Sequence, residues 1–308
     1  MDLLHAAVAG MMARLFCHPF DTMKTVVFTG FCGESRLTNN INQKNSATPT
    51  FSNAVRSIWR REGMAGFYRG VGVATLGSAP GVALYLTTYK VSNRFIQKRR
   101  EANHPVILNI LPLWSFHLLC GLLAEAVSCV FWVPIDVAKE RLQSQPPSQP
   151  GRYRGSYDAL RTIAKYEGLR GLYKGYWSTL ASFGPYSAVY FVFYEFLKDI
   201  FSEYFSLGTF VSALCAGGLG NIAASIITNP LEFIKTRLQV QQTVLSVDGI
   251  PTAVNGFNYR YKGIIDGLCA VARKEGPRAL WRGVGNRIAY AAPNAALTMA
   301  FYNYLESS

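Results

Sequence analysis

Three acids and three lysines recur in this chain at one fixed spacing, each set just after a proline that interrupts an apolar run: Pro19, Asp21, Lys24; Pro134, Asp136, Lys139; and Pro230, Glu232, Lys235. An acid and a base three residues apart share one face of a helix. Charges inside an apolar run are costly and mark function, so these six need partners. Three such helices around one axis let each acid meet the lysine of a neighbouring copy. Ion pairs of this kind are worth about 0 to a few kcal/mol net once desolvation is counted, so a ring of them could close a passage and still yield to a bound solute. A ring that only holds helices in register is the plain structural alternative.

The phrase returns roughly every hundred residues, and repetition at that interval sets the architecture before any local signal does. Around each copy the order is constant: an apolar span ending in the phrase, a polar loop, a Glu-Gly pair, an aromatic-basic-Gly triplet and a second apolar span. The pairs are Glu62-Gly63, Glu167-Gly168 and Glu275-Gly276; the triplets are Tyr68-Arg69-Gly70, Tyr173-Lys174-Gly175 and Trp281-Arg282-Gly283. The second spans carry Pro80, Pro185 and Pro293, followed at a constant distance by Tyr89, Tyr194 and Tyr302. Crossing a bilayer takes about 20 apolar residues. Stretches of that size fall at 3–27, 71–92, 112–138, 176–197, 207–234 and 284–305, which puts both termini on one side. The repeats read as 1–98, 107–202 and 206–308 of one integral domain. Residues 51–61, 157–166 and 264–274 have helical spacing with charge on one face and read as short interfacial helices. Residues 29–50 and 144–150 read as polar links.

The composition agrees with a membrane protein: of 308 residues 50% are hydrophobic and 16% charged, with a mean hydropathy of +0.12. The net charge of +13 is concentrated in 24–69, 139–174 and 235–282, the long loops opposite the termini. That asymmetry follows the positive-inside rule and points to anionic lipid rather than nucleic acid. The six cysteines show no metal-type spacing and read as small packing residues. No phosphate-binding loop, nucleophile elbow or zinc-protease motif is present, so an enzyme is not expected, nor is a cofactor or a resident metal. The first residues run straight into the first span without a basic region or a small-residue cleavage site, so no cleavable presequence is expected.

The three phrases, each followed by Glu-Gly and aromatic-basic-Gly, resemble the mitochondrial carrier family over nearly the whole chain. The resemblance implies an all-α membrane protein: six transmembrane helices in a three-fold pseudosymmetric barrel, three short matrix-side helices, and a central solute site reached alternately from either side. It implies a multi-pass monomer of the inner mitochondrial membrane that exchanges a small molecule and binds cardiolipin at Arg69, Gly70, Lys174, Gly175, Arg282 and Gly283. It pairs Asp21 with Lys139, Asp136 with Lys235 and Glu232 with Lys24 as a matrix gate, with the helices kinked at Pro19, Pro134 and Pro230. Glutamines brace the pairs at Gln143 and Gln239, but the first repeat has Phe28 there, and Val26 replaces the basic residue kept as Arg141 and Arg237. A gate with fewer supports than the full pattern is expected. On the opposite side Tyr194, Glu195 and Lys198 follow the family's second ring, whereas Tyr89, Lys90 and Asn93, and Tyr302, Asn303 and Glu306, do not. Either other pairs form, such as Lys90 with Glu195, or this outer gate is weak.

The resemblance places substrate contacts two and three residues before the prolines of the even spans, at Gly77, Ser78, Ser182, Phe183, Tyr290 and Ala291, where no charge stands. Charge comes instead from Arg14 and Glu125, whose distances before Pro19 and Pro134 differ by four and so share the helical face of the gate. Arg287 is a further candidate; His117 and Asn221 are weaker ones. Arg14 and Glu125 either take the substrate or pair with each other. One cationic and one anionic group favour a zwitterionic or mixed-charge metabolite, such as S-adenosylmethionine or an amino acid. Residues 77–85 with His117 and Glu125 resemble S-adenosylmethionine carriers, although those have an acid at the place of Arg14. Residues 227–230, 86–89 and 133–137 are similar to branched-chain amino acid carriers. A mitoferrin-like metal carrier using Cys17, His18, His117 and Cys129, or a carrier-fold adaptor that transports nothing, are the alternatives.

Overall fold

The computed structural model describes residues 2–29, 51–101, 113–145, 153–203, 209–241, 246–247, 250–251, 259 and 261–307. Apart from an antiparallel pairing of Ser246–Val247 with Ile250–Pro251, the described chain is helical. It consists of α1 (Asp2–Thr29), α2 (Phe51–Glu62), α3 (Met64–Phe67), α4 (Val71–Leu76), α5 (Ser78–Glu101), α6 (Leu113–Ser144), α7 (Ser156–Leu172), α8 (Tyr176–Glu203), α9 (Thr209–Val240), α10 (Ile264–Lys274), a 3-10 turn at Pro277–Trp281 and α11 (Val284–Ser307).

The long helices close into a ring. Each odd span packs on an even span of the neighbouring repeat: α1 on α11, α6 on α5 and α9 on α8. Contacts of α6 with α8, α9 with α11 and α1 with α4 and α5 complete the circuit within repeats. Pro19, Pro134 and Pro230 lie inside α1, α6 and α9 without ending them. Each removes one backbone donor and bends the helix. Pro185 and Pro293 likewise sit inside α8 and α11, but the first even span is broken at Gly77 into α4 and α5. Among the described residues one helix, Leu119–Ser144, is by itself long and apolar enough to cross a membrane; Met64–Thr75 and Pro80–Arg99, bent by 41°, make a second candidate together. Exposed apolar side chains also stand on other long helices, among them Leu15 and Phe16 on α1, Phe191 and Val192 on α8 and Ile226 and Ile227 on α9.

The lower ends of the odd helices carry the core. Phe28, Phe233, Ile234, Leu238, Val271 and Leu280 form one cluster, and Val133, Val137, Leu142, Ala159 and Ile163 another. Both bury the apolar face of a short helix, α10 or α7, against α9 or α6. The Glu-Gly and triplet motifs act as backbone switches between these helices: Gly63, Gly168 and Gly276 stand at φ of 62°, 64° and 88°, and Gly70, Gly175 and Gly283 at 76°, 87° and 79°. That region strains any residue with a Cβ.

Candidate functional site

Each proline phrase lies in the last turns of an odd helix, and the six charges of the three phrases meet. Lys139 Nζ stands 2.8 Å from Asp21 Oδ2, Lys24 Nζ donates to Glu232 Oε1 at 3.1 Å, and Lys235 Nζ stands 3.5 Å from Asp136 Oδ2. Every pair joins two repeats, so the set stitches α1, α6 and α9 into a closed triangle. Lys24 and Asp21 are 6% and 3% exposed, a degree of burial at which an uncompensated charge would be expensive.

The supports beneath the triangle are unequal. Gln143 Nε2 donates to Thr22 Oγ1 at 3.1 Å and lies 3.4 Å from Asp21 Oδ2, so it braces the first pair. Gln239 does not do the same for Asp136 and Lys235: its stem lies against Gly175, where an added Cβ would come within 2.9 Å of it, and its buried Nε2 finds no acceptor among the described residues. Of the two glutamines expected as braces, Gln143 reaches an acid of the triangle, and among the described residues no such contact is seen for Gln239. At the third place Phe28 is fully buried, edge-on to Phe233 at 5.4 Å, with the Lys24 ammonium 5.7 Å from its ring centroid. A packed aromatic therefore replaces the missing amide.

A second tier ties the odd helices to the Glu-Gly motifs. Arg141 holds Glu167, and Arg237 holds Glu275, each through two guanidinium nitrogens. Arg141 also donates to the carbonyls of Gln239 and Gln241, and Arg237 to that of Phe28. Each arginine thus clamps its own repeat and reaches the next. Val26 leaves the first repeat without this clamp, and Glu62 pairs instead with Arg69 of its own triplet.

Above the triangle, Arg14 and Glu125 do not pair with each other. Arg14 lies over the Trp132 indole, 4.8 Å from its centroid, and Nη1 reaches Ala74 O at 3.5 Å. Glu125 Oε1 accepts a bond from Cys129 Sγ at 3.5 Å. Trp132, the partner of Arg14, is a residue that the sequence reading missed; its only signal is that it follows Glu125 by two helical turns. Phe183 meets Tyr85 edge-on at 6.4 Å, while Tyr290 and Ala291 are half-buried. Gly77 is no open contact point: an added Cβ would lie 2.7 Å from Ile135, so it serves the close approach of α6. Ser182 is buried, and its hydroxyl donates to Ser178 O of its own helix at 2.8 Å. Arg287 donates to Ser225 O at 3.1 Å and lies 5.5 Å from the Tyr186 ring, bracing α11 against α9 and α8. Asn221 accepts from Ser225 Oγ. The side chains of Ser78 and His117 lie outside the described residues.

At the other end of the ring Lys90, Glu195 and Lys198 are exposed, and among the described residues they form no ion pair. Lys198 lies over Tyr194, 5.8 Å from the ring centroid. Tyr85 stacks on Tyr89, and Tyr186, Tyr190 and Tyr194 stack in turn along one face of α8. The side chains of Tyr302, Asn303 and Glu306 are outside the described residues. Among the metal-ligand candidates, His18 is 2% exposed, bonded through Nε2 to Arg69 O at 2.8 Å and stacked on Tyr68; that ring is a structural latch, not a free ligand. Arg69 also donates to Gln145 O, next to a cleft of about 220 Å³ bordered by Gly70, Gly72, Gly155 and Ser156.

A ring of helices whose inward charges meet at one end defines a membrane carrier. The family model described as mitochondrial carrier protein matches residues 1–100, 113–205 and 207–308. The chain belongs to the mitochondrial carrier family, whose members are transporters of small molecules and not enzymes. Among its relatives are mitochondrial substrate carrier family protein E of Dictyostelium discoideum, 31% identical over 99% of this chain and 94% of the relative, and mitoferrin of the same organism, 29% identical over 99% and 93%. The mitochondrial S-adenosylmethionine carrier protein of Xenopus laevis is 28% identical over 100% and 96%.

Proposed function

We propose that this protein carries a zwitterionic or mixed-charge metabolite across the inner mitochondrial membrane by alternating access, with Asp21, Lys24, Asp136, Lys139, Glu232 and Lys235 as the matrix-side gate of a six-span barrel. The observation that carries the substrate class is that Arg14 and Glu125 face the same interior above the gate, yet neither neutralises the other. A solute with an anionic group for Arg14 and a cationic group for Glu125 satisfies both. Trp132 holds the guanidinium by a cation–π contact and offers an apolar wall for the body of the solute.

Translocation needs the three gate pairs to break together. Each is worth little net because its partners must be desolvated, so binding energy from the solute is sufficient to open the triangle. Closed gate pairs on the loop side, with Lys90, Glu195 and Lys198 in no ion pair among the described residues, support alternating access in which the solute enters from the side of the termini. The relatives carry different cargoes by name, so the choice within this substrate class rests on the cavity alone.

The cleft beside Gly70 suits a phosphate of cardiolipin, because amides at a helix start attract anions; by the repeat, Lys174 with Gly175 and Arg282 with Gly283 take the same lipid, and the protein works as a monomer around its own central axis. A thermal-stability screen of purified protein against amino acids, S-adenosylmethionine, nucleotides, dicarboxylates and iron tests the reading, since a ligand bound only by the folded state raises its stability. Stabilisation by an aminocarboxylate or a sulfonium amino acid, lost in both Arg14→Ala and Glu125→Gln, is the expected result. Stabilisation by a dicarboxylate or by iron alone would overturn it.

A further inference from the structure

A fourth acid lies in the gate. Glu140 follows Lys139 where the other two phrases have Thr25 and Thr236, and it is 4% exposed. Its Oε1 is 3.4 Å from Lys139 Nζ, and its Oε2 is 2.7 Å from Thr25 Oγ1. The charged groups around it are Lys139 on its own helix, Asp21 and Lys24 on α1, and Lys235 on α9. Asp21, Asp136 and Glu232 already match the three lysines one to one. An ionised Glu140 would leave the buried layer with one negative charge in excess.

The hydrogen bonds around Thr25 show how that excess is avoided. Thr22 spends its hydroxyl hydrogen on Phe67 O at 2.7 Å, so it must accept from Gln143. Asp21 is also an acceptor, and both contacts require the amide NH₂ of Gln143 on that side, which turns Gln143 Oε1 toward Thr25 at 2.9 Å. Thr25 has one hydrogen and three acceptors in reach, Asp21 O at 3.2 Å, Gln143 Oε1 at 2.9 Å and Glu140 Oε2 at 2.7 Å; Asp21 O is a main-chain carbonyl inside α1, the longest of the three contacts, whereas among the described residues Gln143 Oε1 has no other donor. Once that hydrogen goes to Gln143, two oxygens 2.7 Å apart, Glu140 Oε2 and Thr25 Oγ1, face each other with no hydrogen between them unless Glu140 supplies it. A protonated Glu140 completes one directional chain from Glu140 through Thr25, Gln143 and Thr22 to Phe67, with every member satisfied.

We infer that the closed gate is a proton-binding site, with the proton on Glu140 Oε2. On the gate reading above, opening separates α1 from α6 and takes Asp21 and Thr25 away from Lys139 and Glu140. The Oε2–H bond then breaks with its electron pair left on the carboxylate, the proton passes to water entering from the loop side, and Lys139 becomes the counter-ion. Closing reverses these steps. One proton is released and taken up per gate cycle, and alkaline conditions on the loop side favour the open gate.

Infrared difference spectroscopy of the purified, full-length protein tests the site without transport or an identified solute. The wild type is expected to show a carboxylic-acid C=O band at neutral pH that Glu140→Gln lacks and Thr25→Val shifts. Superimposable spectra for the wild type and both variants would overturn the proton site. Thermal unfolding across pH is the second readout. The folded state holds one proton that the unfolded chain has lost, so the wild-type unfolding constant should rise about tenfold per pH unit relative to Glu140→Gln between the unfolded and folded titration ranges. A pH-independent ratio would overturn it equally. A band present at Glu140 with exchange unaffected by neutralising the six gate charges would keep the proton site and sink the gate reading.

Discussion

Arg14 of α1 stacks on Trp132 of α6, its guanidinium 4.8 Å from the indole centroid. The contact joins the first two repeats above the three ion pairs, and among the described residues Arg14 forms no ion pair with an acid. Gly81 makes room for it, since a Cβ there would come within 2.8 Å of the indole nitrogen.

If Trp132 positions Arg14, Trp132→Leu should weaken solute binding by the value of one partly buried cation–π contact, about 0.5–2 kcal/mol. Uptake into proteoliposomes should then show a raised KM with little change in maximal rate. Arg14→Ala should abolish uptake altogether.

The gate pairs predict a charge-swap result. Lys139→Asp leaves Asp21 facing another acid in a buried layer, and removing one partner of a buried pair costs about 3–5 kcal/mol. The single variant should lose both exchange and thermal stability. Asp21→Lys combined with Lys139→Asp should recover a measurable part of each; no recovery would argue that the pair is positional rather than electrostatic.

Phe28 should behave as core. Phe28→Ala empties a fully buried site against Phe233 and Gly283, a change that costs about 3–5 kcal/mol. Phe28→Gln, which restores the resemblance, should lower the thermal midpoint too, because the amide would lose the aromatic contacts and enter a site shaped for a ring.

The two-nitrogen clamps predict that arginine is required. Arg141→Lys keeps the charge but cannot hold Glu167 through two nitrogens and also reach the carbonyls of Gln239 and Gln241. Hydrogen bonds to charged groups contribute about 1.5–3 kcal/mol each, so a clear fall in the thermal midpoint is expected. Arg273→Lys, exposed on α10, should leave it unchanged.

Repetition makes much of this legible in the amino-acid sequence alone. The three phrases set the repeat, the odd helices and the six inward charges, because spacing along one helix states which residues share a face. The broken pattern at Phe28 and Val26 also announces where one repeat differs. Tertiary structure decided what repetition could not. Trp132 and Glu140 each occur once, with no counterpart in the other repeats, and the weight of each depends on an element far away in the chain: Trp132 on Arg14, Glu140 on Thr25. Gln143 and Gln239 look equivalent in sequence, yet one reaches Asp21 and the other is held against Gly175. A helix's sequence specifies its own faces through the rise and turn of one residue to the next. Which faces meet, and which hydroxyl has a hydrogen to give, follows only from packing several helices at once.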